Sequence, residues 1–311
     1  MSWIFIALSA YLILAFANLL DKFLVDQVVK SSRAYAFIVC VFGLLVFLLA
    51  PWFLSWPGWG LFFGDLMAGA IFALAIWFLF EALYRGEASR ILILVGGLTP
   101  VFSILFSLLF FKEHFSAWQF LGFLFLLIGI LIVAFLPVQR SYASRVFNKL
   151  RLTQEIKIGG FGFAVLAALA YSTYFLSTKF LYSTQPFLSV FMWNRLGAAL
   201  LVILFLISKS ERRIIISQFY KSASRRNQVL VFFNQLLGSL GFLLQNYAIF
   251  LGSVALVNAL QGAQYAFLLI IGTGLALLSP KLLKETFSWP VFFKKLSAVV
   301  IIGLGLYCII N

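Results

Sequence analysis

Ten apolar stretches follow one another along this chain, separated by short polar breaks. They lie at about 3–20, 35–54, 61–83, 91–111, 117–136, 161–181, 186–207, 229–251, 254–278 and 291–310. An α-helix needs about 20 such residues to cross the hydrocarbon of a bilayer, and it satisfies its own backbone hydrogen bonds there. Stretches such as 120–135 are apolar on every side, as suits a helix facing lipid and other helices. The period-two alternation of membrane barrel strands is missing. The pattern predicts an all-α membrane protein with ten transmembrane helices.

Composition agrees and narrows the reading. The 311 residues are 64% hydrophobic and 10% charged, with mean hydropathy +1.08. Globular chains carry about 25% charge, so this chain has too few polar side chains to cover a surface in water. Ten spans and their loops use up its length and leave no soluble domain. The two cysteines, Cys40 and Cys308, both lie in apolar runs, which suggests neither a disulfide framework nor a cysteine metal site. The first run starts directly after Met1-Ser2 with no basic segment before it, so it is expected to remain as a span.

Charge orders the loops. Lys22, Lys30 and Arg33 follow span 1, and Arg85 and Arg90 follow span 3. Arg140, Arg145, Lys149, Arg151 and Lys157 follow span 5, and Lys209, Arg212, Arg213, Lys221, Arg225 and Arg226 follow span 7. Lys281, Lys284, Lys294 and Lys295 surround the entry to span 10. The opposite side keeps only Lys112 and Lys179, and Arg195 lies inside span 7. The positive-inside rule places the basic loops in the cytoplasm and both termini outside. A pI near 10 therefore reads as membrane orientation, with no nucleic-acid partner implied.

The sequence also repeats. "KEHFS" at 112–116 returns as "KETFS" at 284–288. At a nearby constant offset, Ala82, Gly86 and Gly96 of "ALYRGEASRILILVGG" match Ala248, Gly252 and Gly262 of "AIFLGSVALVNALQGA". "DKFL" at 21–24 is echoed by "TKFL" at 178–181. The chain reads as two five-helix inverted-topology repeats, 1–136 and 159–311, joined by a basic cytoplasmic linker, 137–158. Five is odd, so the second half enters from the other side, an arrangement common in secondary transporters. Because His114 is replaced by Thr286, the turn does not require an imidazole. Ser116 and Ser288 are expected to cap helices 5 and 10.

The motifs "ALYRGEAS", "LTPVFSIL" with Pro100, and "FFKEHFSAWQFLGFLFLLIGILIV" with Gly122 and Gly129 resemble the drug/metabolite transporter superfamily, in particular its EamA-like members. "GSVALVNALQGAQYAFLL", "KETFS" and "IIGLGLYCII" resemble the same pattern in the second half, and "NRLGAALLV" resembles its arginine-led segment. Lys22 and Lys179 fall where members often carry a lysine. The chain departs from the pattern at Ala266, where a proline would fall, and in lacking a first-half partner to Arg195. Such members are usually drawn with cytoplasmic termini, whereas the charges here point outward. The resemblance implies secondary transport of a small metabolite by alternating access. It implies a cavity lined mainly by helices 1, 3, 4, 6, 8 and 9.

Polar residues inside the spans are the candidates for contact with substrate. A charge at bilayer centre costs about 2.5–3.5 kcal/mol on insertion scales, so Arg195 needs a reason. It either anchors an anionic or carbonyl group of a substrate, or bonds helix-end carbonyls or a neighbouring acid. Gln235, Ser239 and Asn246 share one helical face, as do Asn258, Gln261 and Tyr265. These amide stripes either line a wet cavity or join helices. Thr99 and Ser103 in span 4, Tyr171 and Tyr174 in span 6, Asn18 in span 1 and Trp77 in span 3 complete the set. The acids read as coupling candidates are Asp21 and Glu81.

Catalysis finds no support. One histidine cannot form a paired-histidine metal site, and no Gly-rich phosphate loop occurs. No cofactor or metal is expected. The partners expected are membrane lipid and a small solute, amino-acid-like or similar. The rival reading is a flippase for a lipid or lipid-linked substrate. One chain holding both halves needs no second copy, so a monomer in the cell membrane is expected.

Overall fold

A computed structural model of the chain describes residues 2–27, 31–85, 88–112, 114–134, 158–221, 225–278 and single positions between 293 and 308. Every described element is helical. α1 is Ser2–Gln27, and α2 is Ser32–Phe42, which continues as a 3₁₀ stretch, Gly43–Leu49, into a short α3, Ala50–Phe53. α4 is Trp59–Arg85, α5 is Ala88–Phe106 and α6 is Ala117–Ala134. α7 is Ile158–Tyr182, α8 is Phe187–Ile203 and α9 is Lys209–Lys221. α10 is Arg225–Leu251, and α11, Val254–Ala259, precedes α12, Gln261–Leu278. Seven of the helices are long and apolar enough to cross a membrane, and α6 adds a shorter apolar helix.

The expected spans 1 to 8 each coincide with one of these helices. The expected ninth span, 254–278, is interrupted at Leu260, where α11 ends and α12 begins. About half of the expected tenth, 291–310, and all of the linker 137–158 except Ile158 lie outside the described residues. One element was not foreseen. The basic segment after span 7 folds as α9, whose polar and charged residues had been read as loop.

Local chemistry sets the ends. Ser31 and Ser253 accept from the backbone N–H of Ala34 and Leu256 at the starts of α2 and α11. Ser116 and Gln119 form a reciprocal capping box at the start of α6, with bonds of 3.0 and 3.2 Å. That is the cap expected for helix 5, whereas Ser288 lies outside the described residues. Span 4 closes through a π-wound turn, Ser107–Phe111, which Lys112 ends with a left-handed φ of 51°. The "KEHFS" stretch is thus a helix stop followed by a helix start.

The exposed surface is oily. Phe5, Leu48, Trp52 and Ile207 are among many large apolar side chains left open, as lipid-facing residues are. The two ends differ. Trp56, Trp59, Phe62 and Trp193 cluster at one end, with ring centroids 5.0–6.2 Å apart, matching an interfacial aromatic belt. At the basic end Arg33 pairs with Glu211 of α9, and Glu81 receives Ser32 and Arg85. These contacts tie α2, α4 and α9 together.

The most extensive helix pairings are α4 with α7 and α1 with α10, followed by α4 with α8. The α4/α8 crossing is unusually close. A Cβ on Gly69 would lie 2.0 Å from the Asn194 carbonyl oxygen, and one on Gly197 would lie 2.2 Å from the Leu66 carbonyl oxygen. Small residues let membrane helices approach backbone to backbone. Alanine at Gly69 or Gly197 should therefore force the helices apart at about 1–3 kcal/mol, lowering the midpoint of thermal unfolding in detergent. Gly162→Ala, where the new methyl meets nothing within 4 Å, should leave that midpoint in place.

Candidate functional site

A cavity of about 290 Å³ lies among α1, α2, α4, α8 and α10. Its polar lining is Asn18 and Asp21 from α1, Arg195 from α8, Tyr171 from α7, and Asn234, Gln235 and Ser239 from α10. Phe72, Phe191 and Phe242 form the aromatic wall around Arg195, and Phe42 and Phe80 also line the cavity. α5 contributes Leu92 and, among the described residues, α12 contributes none to this cavity. It therefore draws on helices 2 and 7 where the sequence expectation placed helices 4 and 9. The reason is geometric. The glycine crossing carries α8 against α4 and puts Arg195 inside, and Gly43 leaves room for its stem. A Cβ on Gly43 would lie 3.0 Å from Arg195 Cδ.

Arg195 is 5% exposed, and its Nε and Nη2 have no hydrogen-bond acceptor among the described residues. Its guanidinium instead sits over three rings, at 4.2 Å from Phe72, 4.5 Å from Phe191 and 4.6 Å from Phe242. Each desolvated cation–π contact is worth about 0.5–2 kcal/mol. Together they are comparable with the insertion cost of about 2.5–3.5 kcal/mol. The rings can thus hold the charge without an acid, leaving N–H groups free to donate. The neighbouring-acid explanation has no partner among the described residues.

The basic side of the cavity is closed by hydrogen bonds. Asp21 accepts from Tyr35 and, at 2.7 Å, from Asn234 Nδ2. Gln235 donates to the Tyr35 hydroxyl at 3.3 Å. These three bonds join α1, α2 and α10. Glu81 faces the basic surface in its pair with Arg85 and is absent from the cavity lining.

The other sequence candidates join helices elsewhere. Asn246 Oδ1 accepts from Tyr174 at 3.2 Å and Tyr182 at 3.1 Å. Asn258 donates to Ser103 at 2.8 Å, Ser103 to Ser172, and Ser172 to the Thr99 carbonyl at 2.8 Å. Thr99 returns its own hydroxyl to Val95 O. Trp77 packs on Phe205, with Arg33 5.4 Å above its ring. Gln261 is half-buried with Oε1 unpartnered, and the Tyr265 side chain lies outside the described residues. So Asn18, Asp21, Tyr171, Arg195 and Gln235 come together around one cavity, whereas Tyr174, Asn246, Thr99, Ser103 and Asn258 serve helix contacts.

Three residues were passed over. Asn234 and Tyr35 gained their places by bonding Asp21, which spacing alone does not reveal. Asp65, inside the apolar run 61–83, is fully buried, and neither carboxyl oxygen meets a hydrogen-bond partner among the described residues. Gln185 lies beside it. A lone acid in an apolar run was signal enough to find it.

The Asn246 junction yields a direct test. Asn246→Leu strands two buried hydroxyls, at about 1–3 kcal/mol each. Unfolding in detergent should show that loss, and adding Tyr174→Phe and Tyr182→Phe should recover most of it.

Comparison with known proteins bears on the whole. The model of the EamA-like transporter family matches residues 1–135. The resemblance seen in the motifs thus extends to the family model over the first 135 residues, and the seven long apolar helices make the chain a multi-pass membrane protein. No curated protein matches the sequence. A solved crystal structure of another protein superposes with TM-score 0.65 at 18% identity, covering 99% of this chain and 95% of its own. That likeness speaks for the fold, and it runs through both halves.

Proposed function

We propose that this chain is a transporter of EamA-like kind that carries a small polar or amphipathic solute by alternating access, with Arg195 as the anchor of the solute's anionic or carbonyl group. One observation carries the reading. A buried guanidinium lines a cavity with two nitrogens that meet no acceptor among the described residues, which leaves them available to a solute.

Two further features support it. α1 with α10 and α4 with α7 are the pairings that a two-fold exchange of five-helix halves would interchange, and they are the two most extensive. The interrupted helix at Leu260 is of a kind that transporters of inverted-repeat design use. Both favour ten helices in two inverted repeats, with domains at 1–136 and 159–311. Gly305 packs on the Gly122 carbonyl of α6, as a tenth span beside the fifth would. Asp21 and Asn234 form the gate at the basic end, and that end faces the cytoplasm by the charge rule.

Reconstituted in liposomes, the protein should release a subset of small carboxylates from a preloaded mixture. Arg195→Gln should slow that release about 10- to 100-fold, the worth of a charged hydrogen bond. No release of any solute by the native chain would sink the reading. For orientation, a cysteine at exposed Arg212 on α9 should resist an impermeant maleimide in intact cells and react once they are permeabilised.

A further inference from the structure

The cavity has an opening in its side. α2 with its 3₁₀ continuation and α10 both line it, through Phe42, Leu45 and Val46 on one side and Leu236 and Leu240 on the other. Leu45, Leu236 and Leu240 are nevertheless 41%, 45% and 48% exposed. At membrane depth that exposure is to hydrocarbon, so this wall opens onto the bilayer.

The matching seam between α4 and α8 is shut. There the glycine crossing brings the backbones into contact, and the helices pack extensively. α2 and α10 barely touch by comparison. At the constant offset that relates the halves, Gln235 stands where Gly69 stands. The residue that permits close approach on one side is replaced by a long amide on the other. α2 is also loosened at this level, where it runs as a 3₁₀ stretch from Gly43 to Leu49. Mid-helix 3₁₀ winding is common at functional hinges. Both its ends are held, by Ser32 on Glu81 and by the Ser55–Ser189 bonds of 2.9 and 3.2 Å. The middle can move while the ends stay. Phe42 and Phe232 meet edge-on across the seam at 5.8 Å, the one ring contact described there.

Size decides what fits. Ligand pockets run about 300–1,000 Å³, and this one, at about 290 Å³, holds a head group and little more. A solute with a longer apolar part would extend it through the seam. We infer, on the transporter reading above, that the solute is an amphipathic anion that enters from the bilayer between α2 and α10, its anionic head at Arg195 and its single apolar tail in the seam.

The test uses the full chain with Cys40→Ala and Cys308→Ala, in lipid nanodiscs. The probes are a spin-labelled stearate and a spin-labelled long-chain quaternary amine, with dodecyl phosphate and benzoate as competitors. The stearate should show a motionally restricted component that the amine lacks. Displacement by dodecyl phosphate would mean that carboxylate and phosphate heads share the site, whereas its failure would confine the site to carboxylates, and either outcome supports the inference. Arg195→Gln should reduce the restricted fraction at least tenfold, and Arg195→Lys should retain part of it. Cysteines at Phe42 and Phe232, joined by a reducible bifunctional thiol linker, should block stearate binding, and reduction should restore it. An equal signal from the amine, or no effect of Arg195→Gln, overturns the anionic head. Stearate binding that survives the cross-link, or benzoate displacing it equally before and after, overturns the lateral route while leaving transport of a soluble anion standing.

Discussion

A guanidinium with no acid beside it, held inside a membrane protein, is the constraint around which the rest of this structure is arranged. Charge in hydrocarbon is unfavourable enough that it persists only where the surroundings replace water. Here Phe72, Phe191 and Phe242 do so from three helices. The rings can converge only because α8 lies hard against α4, which requires glycine at 69 and 197. The stem passes α2 only because position 43 has no side chain. Three glycines and three phenylalanines thus serve one arginine. None of them is polar, so none looks like part of a binding site.

On the two-repeat reading proposed above, the same crossing makes the two halves inequivalent. An inverted repeat predicts two matching seams, α4 with α8 and α2 with α10. Backbone contact seals the first, leaving no room for solute or lipid. The second keeps Gln235 and a 3₁₀ stretch in place of close packing, and the cavity lies behind it. The asymmetry follows from single residues, since one glycine in place of Gln235 would let α10 move toward α2.

The first eight spans were legible in the sequence because each is a long apolar run between polar breaks, and in a bilayer that pattern favours a helix. The cap at Ser116 was legible because Ser-x-x-Gln is a local motif. α9 was missed because a polar, basic stretch carries no apolar run, and its contacts with α2 through Arg33 and Glu211 are long-range. The break at Leu260 involves no proline or glycine, so nothing local announces it. At the site, Arg195 stood out by its cost, and Asp21 by its place at a helix end. The amide stripes were ambiguous for a physical reason. An amide in lipid must find a partner, and helix–helix bonds and solute satisfy it equally well. Asn246 and Asn258 found tyrosine and serine away from the cavity, whereas Gln235 both bonds Tyr35 and lines the cavity.

The bonds at the two ends of the cavity also differ in what it takes to break them. At the basic end, three side-chain hydrogen bonds among Asp21, Tyr35, Asn234 and Gln235 join α1 and α2 to α10. Net values of about 0.5–1.5 kcal/mol for neutral pairs, and about 1.5–3 where a charge takes part, make this gate a matter of a few kcal/mol. At the tryptophan end, Lys179 donates to the carbonyls of Ile249, Phe250 and Gly252 at 2.7–3.1 Å, and so holds the last turn of α10 to α7. Opening there would give up three charge-assisted hydrogen bonds. On the alternating-access reading proposed above, the basic end is therefore the cheaper one to open. A solute that bonds Arg195 and competes for Asn234 or Gln235 supplies differential interaction of that size, which is what a ligand needs in order to shift an equilibrium between two states.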